Sequence, residues 1–441
     1  MILHTLRHFV GAKLRWQLLQ GERLEEYQDV SAQRMVQWVA QHSPFYRRHW
    51  EGHDLRDWKK LPPIGKAEMM AHFAEFNTLG IGKEQALETA RRAESERDFN
   101  PTLAGATVGL SSGTSGQRGL FVVSPQEQAA WSGVILSRLL HRFDPGGERV
   151  AFFLRANSNL YESVRQGRWL QFKYLDLLLP RAEILDRLNR FQPTIVVAPP
   201  SMLGSLAKAL HTRELRIQPR QVVSVAEVLE AQDQRRLEAA FQLPVHQVYQ
   251  ATEGLLAISC SRGHLHIQED LVVMQMEEVE GGGRQASKGD PSTPFPLSSR
   301  RFTPIITDLW RRAQPIVRYR LGDVLRVRVG RCECGSSWRV IEGHEGRMGD
   351  ILRFEGGSLF LSDVGYVMEQ SPVVFEDYRL EQDAPGQLRV MVDGCDDLPG
   401  LRGYLEQALA GLGLRAEGLE VLPGIPEQPA NLKRRRVRGP G

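Results

Sequence analysis

The chain is poor in cysteine and has no long apolar run. Four of its 441 residues are cysteines, namely Cys260, Cys332, Cys334 and Cys395. Four unevenly spaced cysteines do not make the disulfide framework of a secreted protein. No window approaches the roughly 18 uncharged residues of a membrane-spanning helix, and charged side chains interrupt the apolar start MILHTLRHFV, unlike a signal peptide. These absences favour a cytoplasmic location without a membrane partner.

The chain also lacks an excess of either charge. Its 56 Lys and Arg residues against 53 Asp and Glu residues leave a formal net charge of +3. Because a protein that binds polyanions over its whole surface is strongly basic, nucleic acid is not expected as a partner. A hydrophobic content of 41% and a charged content of 25% are ordinary for a globular protein.

The periodicity of apolar residues changes along the chain. Residues 1–60 show a helical pattern, and residues 100–260 alternate strand-like with amphipathic stretches, which is typical of βαβ units around a parallel sheet. Short strands predict an antiparallel, barrel-like β subdomain at about 265–346. The sequence thus predicts an α/β fold with a large N-terminal domain (1–346) and a small α+β C-terminal domain (347–441).

The prediction assigns individual segments to strands and helices. Strands are predicted at RVAFFL, PTIVVAP, RFTPIITDLW, IVRYRL and VLRVRVG, and helices at SMLGSLAKALHTREL, EAQDQRRLEAAF and LRGYLEQALAGLG.

The densest chemical signal is the small-residue loop GLSSGTSGQRG, residues 109–119. Its hydroxyls and backbone amides could wrap a phosphate, although a flexible linker has the same composition. No Gly-Lys-Ser/Thr follows, and the loop does not match GxGxxG, so neither a Walker loop nor a Rossmann dinucleotide site is indicated.

Three further motifs follow in order. In YQATEG (249–254), Thr252 and Glu253 could take a phosphate oxygen and its magnesium ion, or could cap a helix. In PIVRYRLGDV (315–324), Asp323 could accept both hydroxyls of a ribose, or could be an ordinary turn residue. In GHEGRMGDIL (343–352), two glycines flank Arg347, which indicates a hinge beside a cation.

The chain ends in KRRRVR, residues 433–438. Five cations in six residues indicate either a solvated basic tail or a patch for nucleic acid or targeting.

The cysteines suggest a metal site. Cys260, the pair His264 and His266, and the later Cys332 and Cys334 offer three thiolates and an imidazole, the ligand set of a closed tetrahedral zinc site. The single-residue spacing of the last pair is unusual for zinc, and unliganded, partly buried thiols are the alternative.

The order and spacing of these motifs resemble the adenylate-forming superfamily, and within it the branch of phenylacetate-CoA ligase and coenzyme F390 synthetase. The similarity runs from LPPIGKAEMM near residue 61 to the terminus. It implies a large N-terminal domain and a C-terminal lid that rotates about a hinge, here Gly349.

The resemblance also implies roles for individual residues. The phosphate loop would be Ser111, Ser112, Gly113, Thr114, Ser115 and Gly116. The remaining ATP-binding positions would be Ala226, Glu227, Tyr249, Gln250, Thr252, Asp323 and Arg347. Glu253 would hold magnesium, and Lys433 would be the lysine that catalyses adenylation, with Thr252 and Glu253. Zinc would be held by Cys260, His266, Cys332 and Cys334, with His266 preferred over His264 because it precedes an isoleucine and an acidic pair.

Three positions depart from the family pattern. Gln250 stands where glycine is usual, Gly349 replaces the usual hinge aspartate, and Leu432 replaces the glycine before the lysine. A bulkier residue at 432 stiffens the turn that must deliver Lys433.

The expected activity is ATP-dependent conversion of an aromatic or other small carboxylic acid to an acyl-adenylate, with release of pyrophosphate. Thioester formation with coenzyme A, or with the thiol of a carrier protein, would follow. ATP and magnesium are the implied cofactors, with a structural zinc. Two alternatives stay open: transfer of AMP to a hydroxyl of a cofactor-like acceptor, and a non-catalytic protein that binds nucleotide or nucleic acid through KRRRVR.

Overall fold

The fold is taken from a computed structural model of the chain. It describes residues 2–96, 98, 101–111, 118–140, 146–154, 169–279, 300–426 and 435–440. Within these ranges no helix is both long and apolar enough to cross a membrane.

Twelve α-helices occur in the described residues. They are α1 (Ile2–Leu18), α2 (Glu22–His42), α3 (Pro44–His49), α4 (Lys66–Ala71), α5 (Phe73–Phe76), α6 (Lys83–Glu96), α7 (Pro125–Leu139), α8 (Arg181–Phe191), α9 (Pro200–His211), α10 (Ala231–Phe241), α11 (Leu361–Glu369) and α12 (Leu398–Gly411). Two 3₁₀ helices span Leu55–Lys60 and Met348–Asp350.

Twenty-one strands occur in the same residues. They are β1 (Thr102–Leu103), β2 (Ala106–Leu110), β3 (Leu120–Val123), β4 (Glu148–Leu154), β5 (Leu170–Asp176), β6 (Ile195–Ala198), β7 (Gln221–Val225), β8 (Val245–Ala251), β9 (Gly254–Ser259), β10 (Leu265–Ile267), β11 (Val272–Glu278), β12 (Arg301–Asp308), β13 (Tyr319–Arg320), β14 (Asp323–Arg328), β15 (Val340–Arg347), β16 (Leu352–Phe354), β17 (Gly357–Leu359), β18 (Asp377–Ala384), β19 (Gln387–Asp393), β20 (Gly418–Pro423) and β21 (Val437–Arg438).

The opening segment is helical, as its pattern predicts. Its apolar positions on α2, among them Leu24, Val36 and Val39, are buried, because residues three and four apart lie on one helix face. Ser43 separates α2 from α3, and its side chain accepts a hydrogen bond from the Tyr46 amide. A serine cap followed by proline at the first helical position is a favoured start. Helix α1 packs against α7.

A 12-stranded sheet forms the centre of the N-terminal part. Its strand order is β11-β12-β14-β15-β10-β9-β8-β7-β6-β4-β5, with β13 paired to β12. Strands β4 to β8 pair in parallel, and the strands from β9 onward pair antiparallel. The α/β fold class is confirmed.

The antiparallel strands predicted at 265–346 are present, but they do not form a sheet of their own. Strand β8 pairs in parallel with β7 on one side and antiparallel with β9 on the other. The β8–β9 hairpin therefore joins the parallel half to the antiparallel half in one continuous sheet, and YQATEG lies at that junction.

The strand prediction for IVRYRL is wrong for its first half. Only Tyr319 and Arg320 pair with β12. Arg318 has a φ of 53°, and a left-handed residue breaks an extended run. Its φ is unfavourable for a side chain, yet Arg318 is held there by hydrogen bonds to Leu61 and Gln275.

The C-terminal part has its own sheet and core. Strands β20-β19-β18-β21 form a four-stranded sheet, and α11 and α12 supply the other apolar faces. One buried apolar cluster includes residues of both sheet and helices, from Leu352 on β16 to Val437 on β21. Strand β15 continues to Arg347, where a 3₁₀ turn of three residues begins. The boundary between 346 and 347 stays a prediction.

Candidate functional site

Asp323 is the centre of a polar cluster formed by three of the predicted motifs. It begins β14 directly after Gly322, which has a φ of 77°. The Tyr249 hydroxyl donates to its Oδ2. Arg347 Nε lies 3.3 Å from its Oδ1, and His344 Nε2 lies 3.7 Å from its Oδ2. The sheet thus brings YQATEG, RLGD and GHEGR to one point.

The cluster fixes the protonation of its members. Burial raises the pKa of an aspartate, but the hydrogen bond and charge of His344, with Arg347 and Tyr249, hold the pKa of Asp323 below its usual value. Burial and the neighbouring Asp323 carboxylate raise the pKa of Tyr249. At neutral pH the aspartate is therefore an acceptor and the tyrosine a donor.

Thr252 and Glu253 form the turn of the β8–β9 hairpin. The Thr252 hydroxyl donates to Glu253 Oε2 at 2.9 Å, and the Tyr319 hydroxyl donates to Oε1 at 3.0 Å. No helix follows this turn, so the helix-cap interpretation of Thr252 is wrong. The Glu253 carboxylate is held between two hydroxyls, which fixes its direction. A register shift in the hairpin falls between Tyr249 and Gln250.

A buried arginine, Arg311, holds the Thr252–Glu253 turn in place by a hydrogen bond. Arg311 is 1% exposed, and its guanidinium donates to the carbonyls of Thr252 and Val122. Val122 belongs to β3, the strand that follows the small-residue loop. Arg311 therefore ties that strand to the Thr252–Glu253 turn. Burial raises the pKa of the neighbouring Asp308 to about 6.

The small-residue loop is closed at its base. The Ser111 amide donates to the Gly119 carbonyl at 2.7 Å, and the Gly119 amide donates to Ser111 Oγ at 2.8 Å. Arg118 adds a hydrogen bond of 2.9 Å from Nε to the Ser111 carbonyl and an ion pair with Glu94. Ser112, Gly113, Thr114, Ser115 and Gly116 lie outside the described residues.

Lys66 lies beside this base. A Cβ on Gly119 would lie 3.0 Å from Lys66 Cε and 3.7 Å from its Nζ, so the end of the lysine side chain lies directly against this glycine. Burial lowers the pKa of Lys66, and the charge of Glu253 raises it. The first residue of α4 thus places a cation beside the loop base, where it also feels the charge of Glu253. Lys66 lies in LPPIGKAEMM, the segment where the family resemblance begins, but no role is predicted for it.

Two of the predicted ATP-binding residues, Ala226 and Glu227, lie in the turn that follows β7. Ala226 has a φ of 69°, and the Glu227 amide donates to the Val225 carbonyl at 2.8 Å. This is a tight three-residue turn of a rare and strained kind for a residue with a side chain. The Glu227 carboxylate accepts from the Ser201 amide at 3.2 Å, at the start of α9.

Gly349 lies in the 3₁₀ turn between β15 and the C-terminal part. A Cβ at this position would meet nothing within 4 Å. The next residue, Asp350, accepts from the Arg347 amide at 3.1 Å and lies 3.4 Å from Arg435. Leu432 and Lys433 lie outside the described residues.

The four predicted zinc ligands meet in space. The candidate ligand atoms of Cys260, His266, Cys332 and Cys334 all lie within 4.8 Å of one another. Two similar turns present the thiols: the Gly263 amide donates to the Cys260 carbonyl, and the Gly335 amide donates to the Cys332 carbonyl. Both glycines have positive φ values.

His266 is oriented as a ligand through Nε2. Its Nδ1 lies 3.0 Å from the Trp338 carbonyl oxygen, and its Nε2 lies 3.5 Å from Cys334 Sγ. A carbonyl accepts only a donated proton, so Nδ1 carries the hydrogen and Nε2 is left for a metal. The other imidazole, His264, places Nδ1 3.0 Å from Cys332 Sγ. Three thiols and one imidazole nitrogen fit a tetrahedral zinc ion.

Comparisons with known proteins agree with the fold and motifs. No protein-family model matches the chain. A curated relative, the phenylacetate-coenzyme A ligase of Thermus thermophilus, is 21% identical over 397 residues, which cover 84% of this chain and 80% of the relative.

Solved structures show the same fold. The structure of 2-hydroxyisobutyryl-CoA ligase in the postadenylation state with R3-HIB-AMP has a TM-score of 0.68 at 17% identity, covering 94% of this chain and 89% of that one. The same ligase with 2-HIB-AMP and CoA in the thioesterfication state has a TM-score of 0.54 at 17% identity, covering 95% and 90%.

Sequence similarity and fold together confirm the resemblance. The fold is that of the adenylate-forming ligases. Within this class, the sequence is similar to a phenylacetate-coenzyme A ligase.

The structure brings together most of the described residues that the motifs indicate. Tyr249, Asp323 and Arg347 meet directly, and Thr252 and Glu253 form the hairpin turn that follows Tyr249 in the chain. Motif reading missed Lys66, His344, Tyr319 and Arg311. Three of them lie within quoted segments, Lys66 in LPPIGKAEMM, Tyr319 in PIVRYRLGDV and His344 in GHEGRMGDIL, but none is given a role there.

Proposed function

We propose that this protein activates a small carboxylic acid with ATP, forms an acyl-adenylate with release of pyrophosphate, and passes the acyl group to the thiol of coenzyme A. The observation that carries the proposal is the Asp323 cluster: Tyr249, Asp323 and Arg347, from three separate motifs, converge beside the Thr252–Glu253 turn. A carboxylate beside an arginine and a tyrosine suits a ribose and its phosphate.

The chemistry is mainly positioning. Attack of a carboxylate oxygen on the α-phosphorus builds negative charge on the phosphorus oxygens and on pyrophosphate. In this proposal Thr252 binds the α-phosphate and the loop from Ser111 to Gly116 binds the outer phosphates. Lys433 stabilises the developing charge. Lys66 and Arg347 add positive charge around the same position.

Glu253 fits a magnesium ion. Its carboxylate is oriented by the hydroxyls of Thr252 and Tyr319, and magnesium commonly takes one or two carboxylates, with water and phosphate oxygens completing its shell. When bound, the ion would neutralise charge on the phosphates. Glu253 would hold the ion in position, and the hydroxyls of Thr252 and Tyr319 fix the direction of the Glu253 carboxylate.

The residues 347–441 would act as a lid. A lid that closes over the site keeps water from the mixed anhydride, and its rotation about Gly349 would exchange the adenylation and thioester arrangements. The zinc held by Cys260, His266, Cys332 and Cys334 would be structural, because four protein ligands leave no open position for substrate.

Two relatives support a small acid and a coenzyme A acceptor. One is named for phenylacetate and the other for 2-hydroxyisobutyrate, and both names include coenzyme A. Product analysis tests the acceptor. With an active acid, ATP and coenzyme A, the proposal expects one acyl-CoA and one AMP per ATP. Formation of an adenylylated hydroxyl compound without thioester would favour the F390 synthetase-like alternative instead.

A further inference from the structure

The basic tail is held by carboxylates. Arg435 lies 3.4 Å from Asp350, and Arg438 lies 3.1 Å from both Glu381 and Asp383. Between them, Arg436 has a side chain that is 3% exposed. The three arginines of KRRRVR that the structure describes are therefore engaged in ion pairs, which argues against a free patch for polyanions.

Arg436 is bound by three acidic residues. Its two terminal nitrogens lie 2.7 and 3.1 Å from the two oxygens of Asp233. Nη1 also lies 2.9 Å from Glu230, and Nε lies 3.1 Å from Asp377. These four residues are called the Arg436 cluster. Bidentate pairing of this kind is both strong and direction-specific.

The cluster joins the two parts of the chain. Glu230 immediately precedes α10 and Asp233 lies in its first turn, both in the N-terminal part. Asp377 begins β18 of the C-terminal sheet. Tyr378 adds a second link, because the guanidinium lies 5.1 Å from its ring centroid and its hydroxyl donates to Glu230 at 3.2 Å.

The cluster lies close in sequence to two elements of the proposed site. Glu230 follows the strained turn at Ala226 and Glu227 by three residues. Lys433 precedes Arg436 by three residues, a stretch that spans at most about 10 Å when extended. Fixing Arg436 against α10 therefore limits where Lys433 can reach.

We propose that Arg436 is a positioning residue: its salt bridges to Glu230 and Asp233 hold the C-terminal lid in the orientation that delivers Lys433 for adenylation, and they break when the lid turns for thioester formation. This inference rests on the proposed function. Asp377 moves with the lid and keeps its bond to Arg436, so among the bonds of Arg436 only those to Glu230 and Asp233 are exchanged.

The charges in the Arg436 cluster indicate that the contact between Arg436 and α10 has two states. One guanidinium faces three carboxylates, of which Glu230 has its pKa raised by burial. A buried ion pair that loses one partner leaves an uncompensated buried charge, which costs free energy. The contact is thus either fully formed or, after rotation, replaced by water around both partners.

The test separates the two half-reactions. Asp233→Asn and Arg436→Lys should lower ATP–pyrophosphate exchange at least tenfold with little change in the KM for ATP. Thioester formation from added acyl-adenylate and coenzyme A should be retained or become faster. Asp233 belongs to α10, so its variant leaves the lid's own packing intact even where Arg436→Lys impairs folding.

Arg438→Ala is the matched control. It removes a cation from the same tail, but its partners Glu381 and Asp383 belong to the same sheet of the C-terminal part. It should change neither half-reaction by more than about twofold, as expected for an exposed ion pair.

Two results would overturn the inference. One is wild-type exchange in both Asp233→Asn and Arg436→Lys. The other is an equal fall of both half-reactions, which would mean a structural role only. If the wild-type protein itself catalyses no exchange with any acid, the proposed function fails and hydrogen–deuterium exchange decides the contact.

That measurement uses ligand-free full-length protein. Asp233→Asn should raise deuterium uptake in residues 230–236 and 435–440 together, because opening the contact exposes both sides. Arg438→Ala should leave residues 230–236 unchanged. Unchanged uptake in residues 230–236 of Asp233→Asn would overturn the inference without reference to any substrate.

Discussion

The Tyr249 hydroxyl donates a hydrogen bond to the Asp323 carboxylate across 74 residues of sequence. This bond joins the hairpin that carries Thr252 and Glu253 to the strand after the tight Gly322 turn. The T-shaped contact of Tyr249 with His344, at 5.3 Å between ring centroids, adds β15 to the same point. One buried carboxylate thus orders the ends of three strands around the proposed nucleotide site.

Asp323→Asn should weaken ATP binding. A hydrogen bond to a charged group contributes about 1.5–3 kcal/mol, so the KM for ATP should rise about 10- to 100-fold. Asp186→Asn, which removes an exposed carboxylate paired with Arg190 on α8, is the control and should leave the KM unchanged. Steady-state kinetics at saturating acid measure both, and an unchanged KM in Asp323→Asn would remove this residue from the nucleotide site.

Lys433→Ala should lower adenylation by about two to three orders of magnitude with ATP affinity nearly intact, because it removes one preorganised donor to transition-state charge. Lys208→Ala, an exposed lysine on α9, is the control for loss of a cation. Single-turnover pyrophosphate release gives the rate. If the tail instead binds nucleic acid, the same change should cause a salt-dependent loss of that binding and leave adenylation alone.

Gly349→Pro should separate the half-reactions, because proline fixes φ and locks the lid in one orientation. Adenylation is expected to survive while thioester formation fails. Gly349→Ala is a matched control, since a Cβ there would touch nothing within 4 Å. Equal reduction of both steps in a folded Gly349→Pro variant would show that the lid does not rotate about this residue.

Purified protein should contain one zinc per chain, bound by Cys260, His266, Cys332 and Cys334. Elemental analysis measures it. The double variant Cys332→Ser, Cys334→Ser should lose the metal, and Cys395→Ser should keep it, because Cys395 packs in the C-terminal core.

Removing the zinc with a chelator should lower the stability of the segment around β10 and β15 first, because the ion closes a loop of about 70 residues. Zinc well below one equivalent in folded, active protein would show that these thiols bind no structural metal. Zinc retained by the double variant would place the metal elsewhere.

Sequence patterns predict the helical opening, the parallel strands and the C-terminal sheet because apolar periodicity marks which face of each element is buried. They do not predict that β8 and β9 fuse the two halves of the sheet, since strand partners depend on contacts distant in sequence. The strand predicted at IVRYRL is wrong for its first half because Arg318, inside an apolar run, has a left-handed backbone conformation.

The candidate site also contains residues that the sequence predicts and residues that it does not. Thr252, Glu253, Asp323 and Arg347 lie in motifs whose order could be matched to a family. Lys66 and Arg311 act through three-dimensional placement: Lys66 lies against Gly119 at the loop base, and Arg311 reaches the Thr252 carbonyl through the core. No spacing in the sequence records either contact.

ATP–pyrophosphate exchange over a panel of carboxylic acids tests the central claim most directly. The assay requires no acceptor thiol and reports only reversible formation of an enzyme-bound adenylate. The account predicts exchange that depends on magnesium and on one or a few small acids, aromatic acids among them, and that is lost in Lys433→Ala. Absence of exchange with every acid, in folded protein that binds ATP, would contradict it.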